Sequence, residues 1–274
     1  MYMKKLFSIT ACALGLSAVS AYAQSSYTLN VSEGTSGGLD SAQVIEKYTG
    51  LAEVMSKALG KKVVVVVTRE FAQLEEGMKS GKMDFVIARP SDYPARGVRD
   101  YKYQLISTSK PDGNCLLIVP KASPLKNIND VRGKRITLPE KISYMSKFCS
   151  AELIHNGFKL ETEKIQYAKE QGAVIFYLDN QLADVGGIAS YSGVAKNLEK
   201  SGHRVIHTSQ SQPYQPLIAH PKFTAAQIQA LKKELDHLDE TEPGKAILKP
   251  IGIKEFDTRA SDQSLLDLLK WLGQ

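Results

Sequence analysis

Polar and aromatic side chains recur at one kind of position in this sequence, directly after short apolar segments that predict buried β-strands. Several of them also begin a predicted helix. The candidates are Glu33, Thr35, Ser36, Arg69, Arg89, Ser91, Tyr93, Ser143, Tyr144 and Ser146. Helix N-termini present free N–H groups and partial positive charge, and hydroxyl and guanidinium groups add further donors. Together these residues indicate a site for a tetrahedral or carboxylate anion.

Each candidate also has a purely structural interpretation. Ser91 and Ser143 are suited to capping a helix N-terminus, and the two tyrosines are suited to packing. Arg89 could form an ion pair with Asp92 or with Glu33. The prediction of a binding site therefore depends on the whole set of residues at the strand ends.

The first half of the sequence alternates short apolar segments with amphipathic ones. Residues 27–31, 63–67 and 84–88 predict strands, and apolar residues at steps of three and four predict the helices between them. The five valines at 63–67 lack alternation, which is typical of a strand buried on both faces of a parallel sheet. This order predicts the α/β class with mainly parallel sheets.

The second half of the sequence repeats the alternation and predicts a second α/β lobe. Residues 103–123 and 203–221 each contain a strand, a polar turn and another strand, so we interpret them as two hinge crossings. The expected boundaries are 24–112 and 211–274 for lobe one and 113–210 for lobe two. Two lobes joined by two crossings predict a cleft that closes by hinge motion.

The N-terminus has the features of a secretory signal peptide. Lys4 and Lys5 precede a largely apolar segment, and residues 21–23 form a small-x-small cleavage site. Removal of residues 1–23 takes away these two lysines, which lowers the formal net charge from +6 to +4. We expect a periplasmic protein, with lipidation at Cys12 as the less favoured alternative.

The mature sequence offers little for other classes of function. No block of Lys and Arg interleaved with aromatic residues indicates nucleic-acid binding. The five histidines follow no metal-ligand spacing, and no nucleophile motif or cofactor motif is present. Cys115 and Cys149 suggest a disulfide in an exported protein, although two unreactive thiols or a thiol that contacts a ligand remain alternatives. We expect no enzyme, no cofactor and no metal.

Four segments carry a family resemblance: GKMDFVIARPSDY, SPLKNINDVRGKRITLP, LADVGGIASYSG and ETEPGKAILKPIGIKEFD. They resemble the phosphate, phosphite and phosphonate type of substrate-binding proteins of ABC transporters, over nearly the whole mature chain. The resemblance implies a type II periplasmic binding protein fold, with two α/β lobes, two hinge strands and an oxyanion between them. It also implies an inner-membrane permease as partner and no catalysis.

Two departures from the family pattern concern the site. Arg89 stands before Pro90 where the family has glycine, and the family's Ser-Thr-Ser-Gly run is here KISYMSKF, which keeps Ser143 and Ser146. An added cation would suit a doubly charged oxyanion without an amine tail. We therefore expect a monomer that captures a small oxyanion for transport.

A sensory function is the alternative. A related branch of this fold senses arsenic oxyanions for a histidine kinase, and a free thiol at Cys115 near the cleft would suit trivalent arsenic. The partner would then be a sensor kinase in place of a permease.

Overall fold

The computed structural model describes residues 26–34 and 38–274, and these residues form two α/β lobes. The strands are β1 (Tyr27–Ser32), β2 (Val63–Val67), β3 (Phe85–Ala88), β4 (Gln104–Gly113), β5 (Cys115–Pro120), β6 (Arg135–Leu138), β7 (Lys164–Tyr167), β8 (Val185–Ala189), β9 (His203–Thr208), β10 (Gln212–Ala219) and β11 (Glu255–Asp257). The predicted signal peptide, with Cys12, lies outside the described residues, as do Thr35 and Ser36.

The α-helices alternate with these strands. They are α1 (Ser41–Leu59), α2 (Phe71–Lys79), α3 (Asp92–Tyr101), α4 (Tyr144–His155), α5 (Gln171–Asp179), α6 (Gly193–Lys196), α7 (Ala225–Asp236), α8 (Glu242–Ile251) and α9 (Asp262–Trp271). In the part of the chain that is described, no helix is long and apolar enough to cross a membrane.

Each lobe is built on one sheet. The strand order is β11-β4-β10-β3-β1-β2 in lobe one and β7-β6-β8-β5-β9 in lobe two. Parallel pairing is confined to β1 with its neighbours β2 and β3, and to β6 with β7 and β8. The strands that enter and leave the lobes pair antiparallel. The sheets are thus mixed, because the hinge strands β10 and β5 run antiparallel to their neighbours β3 and β8 at the centre of each sheet.

Helix α1 shows how the sequence determines the elements of lobe one. Val44, Tyr48, Leu51 and Met55 are buried at the predicted steps of three and four. Asp40 caps the N-terminus by accepting from the amide of Gln43, in a capping box. Gly60 ends the helix with φ of 62°, a left-handed conformation that glycine adopts without steric cost.

The valine strand β2 differs from its prediction. It lies at the edge of the lobe-one sheet, and the Val66 side chain is exposed. A run of β-branched residues favours a strand because such side chains fit the pleated surface. The run does not determine whether the strand is central or at an edge, so burial on both faces was wrong.

The chain passes between the sheets at two places. It leaves lobe one between β4 and β5, at Asn114, and returns between β9 and β10, at 209–211. Helix α9, placed in lobe one by the sequence, packs on α3 but also reaches lobe two. The Trp271 ring lies edge-on to Phe148 of α4, with ring centroids 4.7 Å apart, and it stacks on His155. The C-terminal helix therefore contacts both lobes.

Candidate functional site

The register of lobe one brings Glu33 and Arg89 together. β1 and β3 are parallel neighbours in which Ser32 is opposite Ala88, so the residues that follow both strands meet at one edge of the sheet. The Arg89 amide donates to the Ser32 carbonyl at 2.9 Å, and the Arg89 Nε lies 3.1 Å from Glu33 Oε2. This contact is an ion pair without hydrogen-bond geometry. Arg89 thus lies at the carboxyl ends of the strands, where open α/β sheets bind ligands.

Glu33 is held by more than one partner. Lys47 Nζ lies 2.8 Å from Glu33 Oε1, and the Tyr48 hydroxyl donates to the same oxygen. Burial raises the pKa of Glu33, but the charges of Arg89 and Lys47 outweigh it and hold that pKa below the usual 4.5. Burial alone would lower the pKa of Arg89, yet the surrounding Tyr214 and Glu33 raise it. Both groups are therefore ionised at neutral pH.

The second hinge strand joins this cluster through a strained residue. Gln215 in β10 is fully buried with φ of 46°, which is rare outside glycine. Its side-chain amide donates to the Tyr48 hydroxyl, and its backbone N–H donates to Ser91 Oγ at 3.2 Å. Strain of this kind persists only where neighbouring groups fix the conformation. The hinge is thereby connected to the Glu33 cluster.

Lobe two contributes the N-terminus of α4. Ser143 caps this helix by accepting from the Ser146 amide at 3.2 Å. The next amides, of Tyr144 and Met145, belong to the first turn, where a helix has no internal acceptor for its N–H groups. Burial raises the pKa of the Tyr144 hydroxyl, which lies near Ser91 and forms no hydrogen bond of normal geometry to a described residue. This wall therefore offers unused donors without formal charge.

A cavity separates these two walls. Its lining combines the residues of both, namely Glu33, Gly34, Phe71, Arg89, Pro90, Pro139, Ser143, Tyr144, Met145, Lys169, Glu170, Gln171 and Tyr191. About 30 Å³ is open to the centres of water molecules, which corresponds to about two waters. The space fits a small ion, with polar groups on both walls and apolar Phe71 and Met145 beside them.

The predicted site residues fall into three groups. Glu33, Arg89, Ser143 and Tyr144 line the cavity. Ser91, Tyr93 and Ser146 are buried behind the lining, and Arg69 lies elsewhere. The structure thus brings four of the candidates together in one site.

The three residues behind the lining have structural contacts. Ser91 accepts from the Gln215 amide and makes no capping hydrogen bond, so its interpretation as a helix cap was wrong. Tyr93 stacks on Phe71 with ring centroids 5.0 Å apart. Ser146 donates its hydroxyl proton to the Pro139 carbonyl at 2.8 Å. These side chains support residues that form the cavity wall.

Arg69 is not brought to the cavity. Its guanidinium donates to the Leu39 carbonyl at 2.7 Å and to Ser41 Oγ at 3.4 Å. The side chain is exposed and holds the segment that leads into α1. Phe71, two residues further along, does line the cavity, so it is the contacts with Leu39 and Ser41 that hold Arg69 away from the site.

Sequence reasoning missed part of the lobe-two wall. Lys169, Glu170 and Gln171 lie between β7 and α5, and they line the cavity together with Tyr191 after β8. Gln171 also accepts the Ala189 amide through its side-chain oxygen at 2.7 Å. The rule that strand ends form the site would have found these residues, had it been applied to β7 as it was to the other strands.

Two further contacts fix the lobe-two wall. Cys115 at the start of β5 and Cys149 in α4 form a disulfide, with Cα atoms 5.3 Å apart. The disulfide leaves no free thiol at Cys115 for a ligand. Across the lobes, Lys147 Nζ of α4 lies 2.8 Å from Asp92 Oδ2 of α3, and Asp92 is fully buried.

Within residues 26–34 and 38–274, no group of three or more His, Cys, Asp or Glu side chains could hold a metal ion.

Comparison with solved structures gives the same fold. XAC2383 from Xanthomonas citri, bound to ATP, has a TM-score of 0.71 at 14% identity, over 90% of this chain and 98% of that chain. PhnD1 from Prochlorococcus marinus, in complex with methylphosphonate, has a TM-score of 0.68 at 14% identity, over 89% and 96%. A binding protein component of an ABC phosphonate transporter from Pseudomonas aeruginosa has a TM-score of 0.63 at 15% identity, over 90% and 86%.

A family model matches residues 38–265, which is most of the sequence and includes both hinge crossings. The model describes the periplasmic substrate-binding protein of phosphonate ABC transporters. The family resemblance expected from the sequence is confirmed, and so is the two-lobe α/β fold. This chain belongs to the family of periplasmic substrate-binding proteins of phosphonate ABC transporters.

Proposed function

We propose that this protein captures a small phosphorus oxyanion of the phosphonate type in the cavity between its lobes. The observation that carries the proposal is the pair of opposed walls, with Arg89 on one side and the α4 N-terminus on the other. The Tyr144 hydroxyl adds a donor without a partner of normal geometry. Fixed donors of this kind bind an anion without first giving up strong contacts of their own.

The cavity also favours some ligands over others. Glu33 is engaged by Lys47, Tyr48 and Arg89, so its carboxylate is not free to receive a ligand amine. Phe71 and Met145 provide an apolar surface for a small carbon or hydrogen substituent on phosphorus. We infer that the preferred ligand has a tetrahedral oxyanion, a small apolar substituent and no amine tail.

The neighbours support this ligand class. One was solved with methylphosphonate and another with ATP, and both of these ligands carry phosphorus oxyanions. The identity is low, so the neighbours bear on the ligand class only through the shared fold. The chemical group common to both ligands matches the donors in the cavity of this chain.

The wider role proposed is delivery to an inner-membrane permease. We propose that residues 1–23 direct export, that the protein is a monomer without catalytic activity, and that lobes 24–112 with 211–274 and 113–210 close over the ligand. The arsenic form of the sensory alternative depended on a free thiol at Cys115. That thiol is engaged in the disulfide, so no observation favours arsenic sensing by this residue.

Isothermal titration calorimetry with a panel of anions tests the proposal. Methylphosphonate, phosphite, phosphate, sulfate and 2-aminoethylphosphonate would be compared at fixed pH and ionic strength. We expect methylphosphonate or phosphite to bind most tightly, and 2-aminoethylphosphonate to bind more weakly than methylphosphonate. Absence of heat with all phosphorus anions would reject the proposed ligand class, provided that circular dichroism shows a folded protein.

A further inference from the structure

A second concave surface lies next to the ligand cavity. We call it the lysine groove, because four of the residues that line it are Lys196, Lys245, Lys249 and Lys254. Its free space is about 510 Å³, far larger than that of the cavity beside Arg89. The groove therefore has room for a larger group than the ligand cavity has.

The groove is built from both lobes. Lys196 lies on α6 of lobe two, while Lys249 and Lys254 lie on and after α8 of lobe one. Tyr191 lines both the groove and the ligand cavity, and it stacks on Tyr214 of the second hinge strand with ring centroids 4.1 Å apart. The groove thus spans the hinge and shares one wall with the site proposed for the ligand.

The charges of the groove are not balanced by the protein. Lys245 pairs with Glu242 at 2.8 Å, and Asp239 is the acidic residue in the described lining. Lys196, Lys249 and Lys254 form no ion pair with any described residue. Since like charges on facing lobes repel, closure of the hinge here is opposed until an anion lies between them.

Apolar residues complete the surface. Leu248 and Ile253 are buried beneath the lysines, and Pro111 of the first hinge crossing lies beside them. The concave shape places the exposed Lys196, Lys249 and Lys254 around one space, so their charges act on the same anion. The combination of unpaired cations and a concave apolar base is suited to a compact multivalent anion.

We propose that the lysine groove is a second site for a phosphate-type oxyanion group, and that its occupation favours closure of the lobes. The proposal rests in part on the proposed function, because Tyr191 connects the groove to the ligand cavity. The oxyanion could be the distal group of a captured ligand or a separate free anion. Both sources have the same chemistry, and the experiment distinguishes them.

The test compares two triple variants with the wild-type protein. The groove variant is Lys196→Gln, Lys249→Gln and Lys254→Gln. The control variant is Lys57→Gln, Lys233→Gln and Lys270→Gln, which removes the same charge from exposed helical positions elsewhere. The probes are pyrophosphate, propane-1,3-bisphosphonate and methylphosphonate, measured by calorimetry at constant ionic strength.

We expect the groove variant to bind the two multivalent probes about tenfold more weakly than the wild type and the control variant. Methylphosphonate affinity should change by less than about twofold in either variant. An equal loss in both variants would show that only net charge matters and would overturn the proposal. Failure of the wild-type protein to bind either multivalent probe would also overturn the proposal.

Two arms of the experiment separate the proposals. Multivalent binding that depends on the groove lysines, without methylphosphonate binding, would support the groove and reject the proposed ligand of the cavity. Binding of methylphosphonate without binding of the multivalent probes would support the proposed ligand of the cavity and reject the groove. If pyrophosphate still binds when methylphosphonate is saturating, the groove binds a free anion. If the two compete, one ligand spans both sites.

Discussion

The two walls of the ligand cavity use different physical means. On lobe one, Arg89 carries a full charge, but Glu33 compensates it and Lys47 compensates Glu33 in turn. On lobe two, the first amides of α4 and the Tyr144 hydroxyl are neutral donors with unused capacity. One wall is charged and internally paired. The other combines the neutral donors of α4 and Tyr144 with the side chains of Lys169 and Glu170.

The difference shows how a small cleft can offer donors to an anion although its guanidinium, on Arg89, is already paired with Glu33. A lone buried guanidinium would lose much of its hydration, whereas Arg89 is compensated by its ion pair with Glu33. The dipoles of lobe two then provide the contacts that are made only on closure. Specificity would depend on both walls, and closure mainly on lobe two. The following predictions test this division.

Removal of the disulfide should have the largest effect, because it anchors the lobe-two wall to the hinge. The Cys115→Ser and Cys149→Ser double variant should lose about 2–4 kcal/mol of unfolding free energy. Urea denaturation of the variant and of reduced wild-type protein measures this loss. An unchanged midpoint in both would show that α4 does not need the link.

Arg89→Ala should remove the guanidinium from the lobe-one wall of the cavity. We expect at least tenfold weaker binding of methylphosphonate, about 1.4 kcal/mol, because the cation is lost and Glu33 remains. Calorimetry gives the affinity, and Arg69→Ala is the matched control because Arg69 lies outside the cavity. If Arg89→Ala binds as tightly as the control, Arg89 serves only as the partner of Glu33.

Lys147→Ala should weaken the connection between the walls. Asp92 is fully buried and Lys147 reaches it from the other lobe, so the variant loses an ion pair between the lobes. We expect affinity to fall by about fivefold, about 1 kcal/mol, mainly through faster ligand release. Stopped-flow release measures this rate, with exposed Lys164→Ala as the control. Equal release rates in the two variants would contradict the prediction.

Glu33→Gln should lower stability at neutral pH, and its difference from the wild type should shrink in acid. The native pKa of Glu33 is lowered, so its contribution to stability is complete above pH 4.5 and is lost as the pH falls through the native value. Wild-type protein should therefore lose more stability below pH 4.5 than Glu33→Gln does. Denaturant melts over this range test it, with exposed Glu53→Gln as the control. If the unfolding free energies of wild type and Glu33→Gln fell equally with decreasing pH, the prediction would be wrong.

The sequence was sufficient for most of the fold because periodicity and helix stops depend on local residues. The spacing of Val44, Tyr48, Leu51 and Met55 predicted α1, and the two polar turns predicted the crossings. The valine run shows the limit, since its composition predicts a strand but not its place in the sheet.

The site was less predictable, because its contacts depend on register and on the approach of the two lobes. The pairing of Arg89 with Glu33 follows from the neighbouring positions of β1 and β3, and strand order is not a local property. Ser91 and Tyr93 were chosen because they follow a strand, yet their side chains point into packing contacts. Lys147 with Asp92 joins two lobes, and no local pattern indicates such a pair.

The contact of α9 with lobe two has a practical consequence. Trp271 is the one tryptophan in the sequence, and its ring lies between α9 and the lobe-two residues Phe148 and His155. Any movement of the lobes that separates these rings changes the surroundings of the indole. The tryptophan fluorescence of the protein therefore comes from a single indole at the lobe boundary, so selective excitation of this indole can follow opening and closing in solution without an added label.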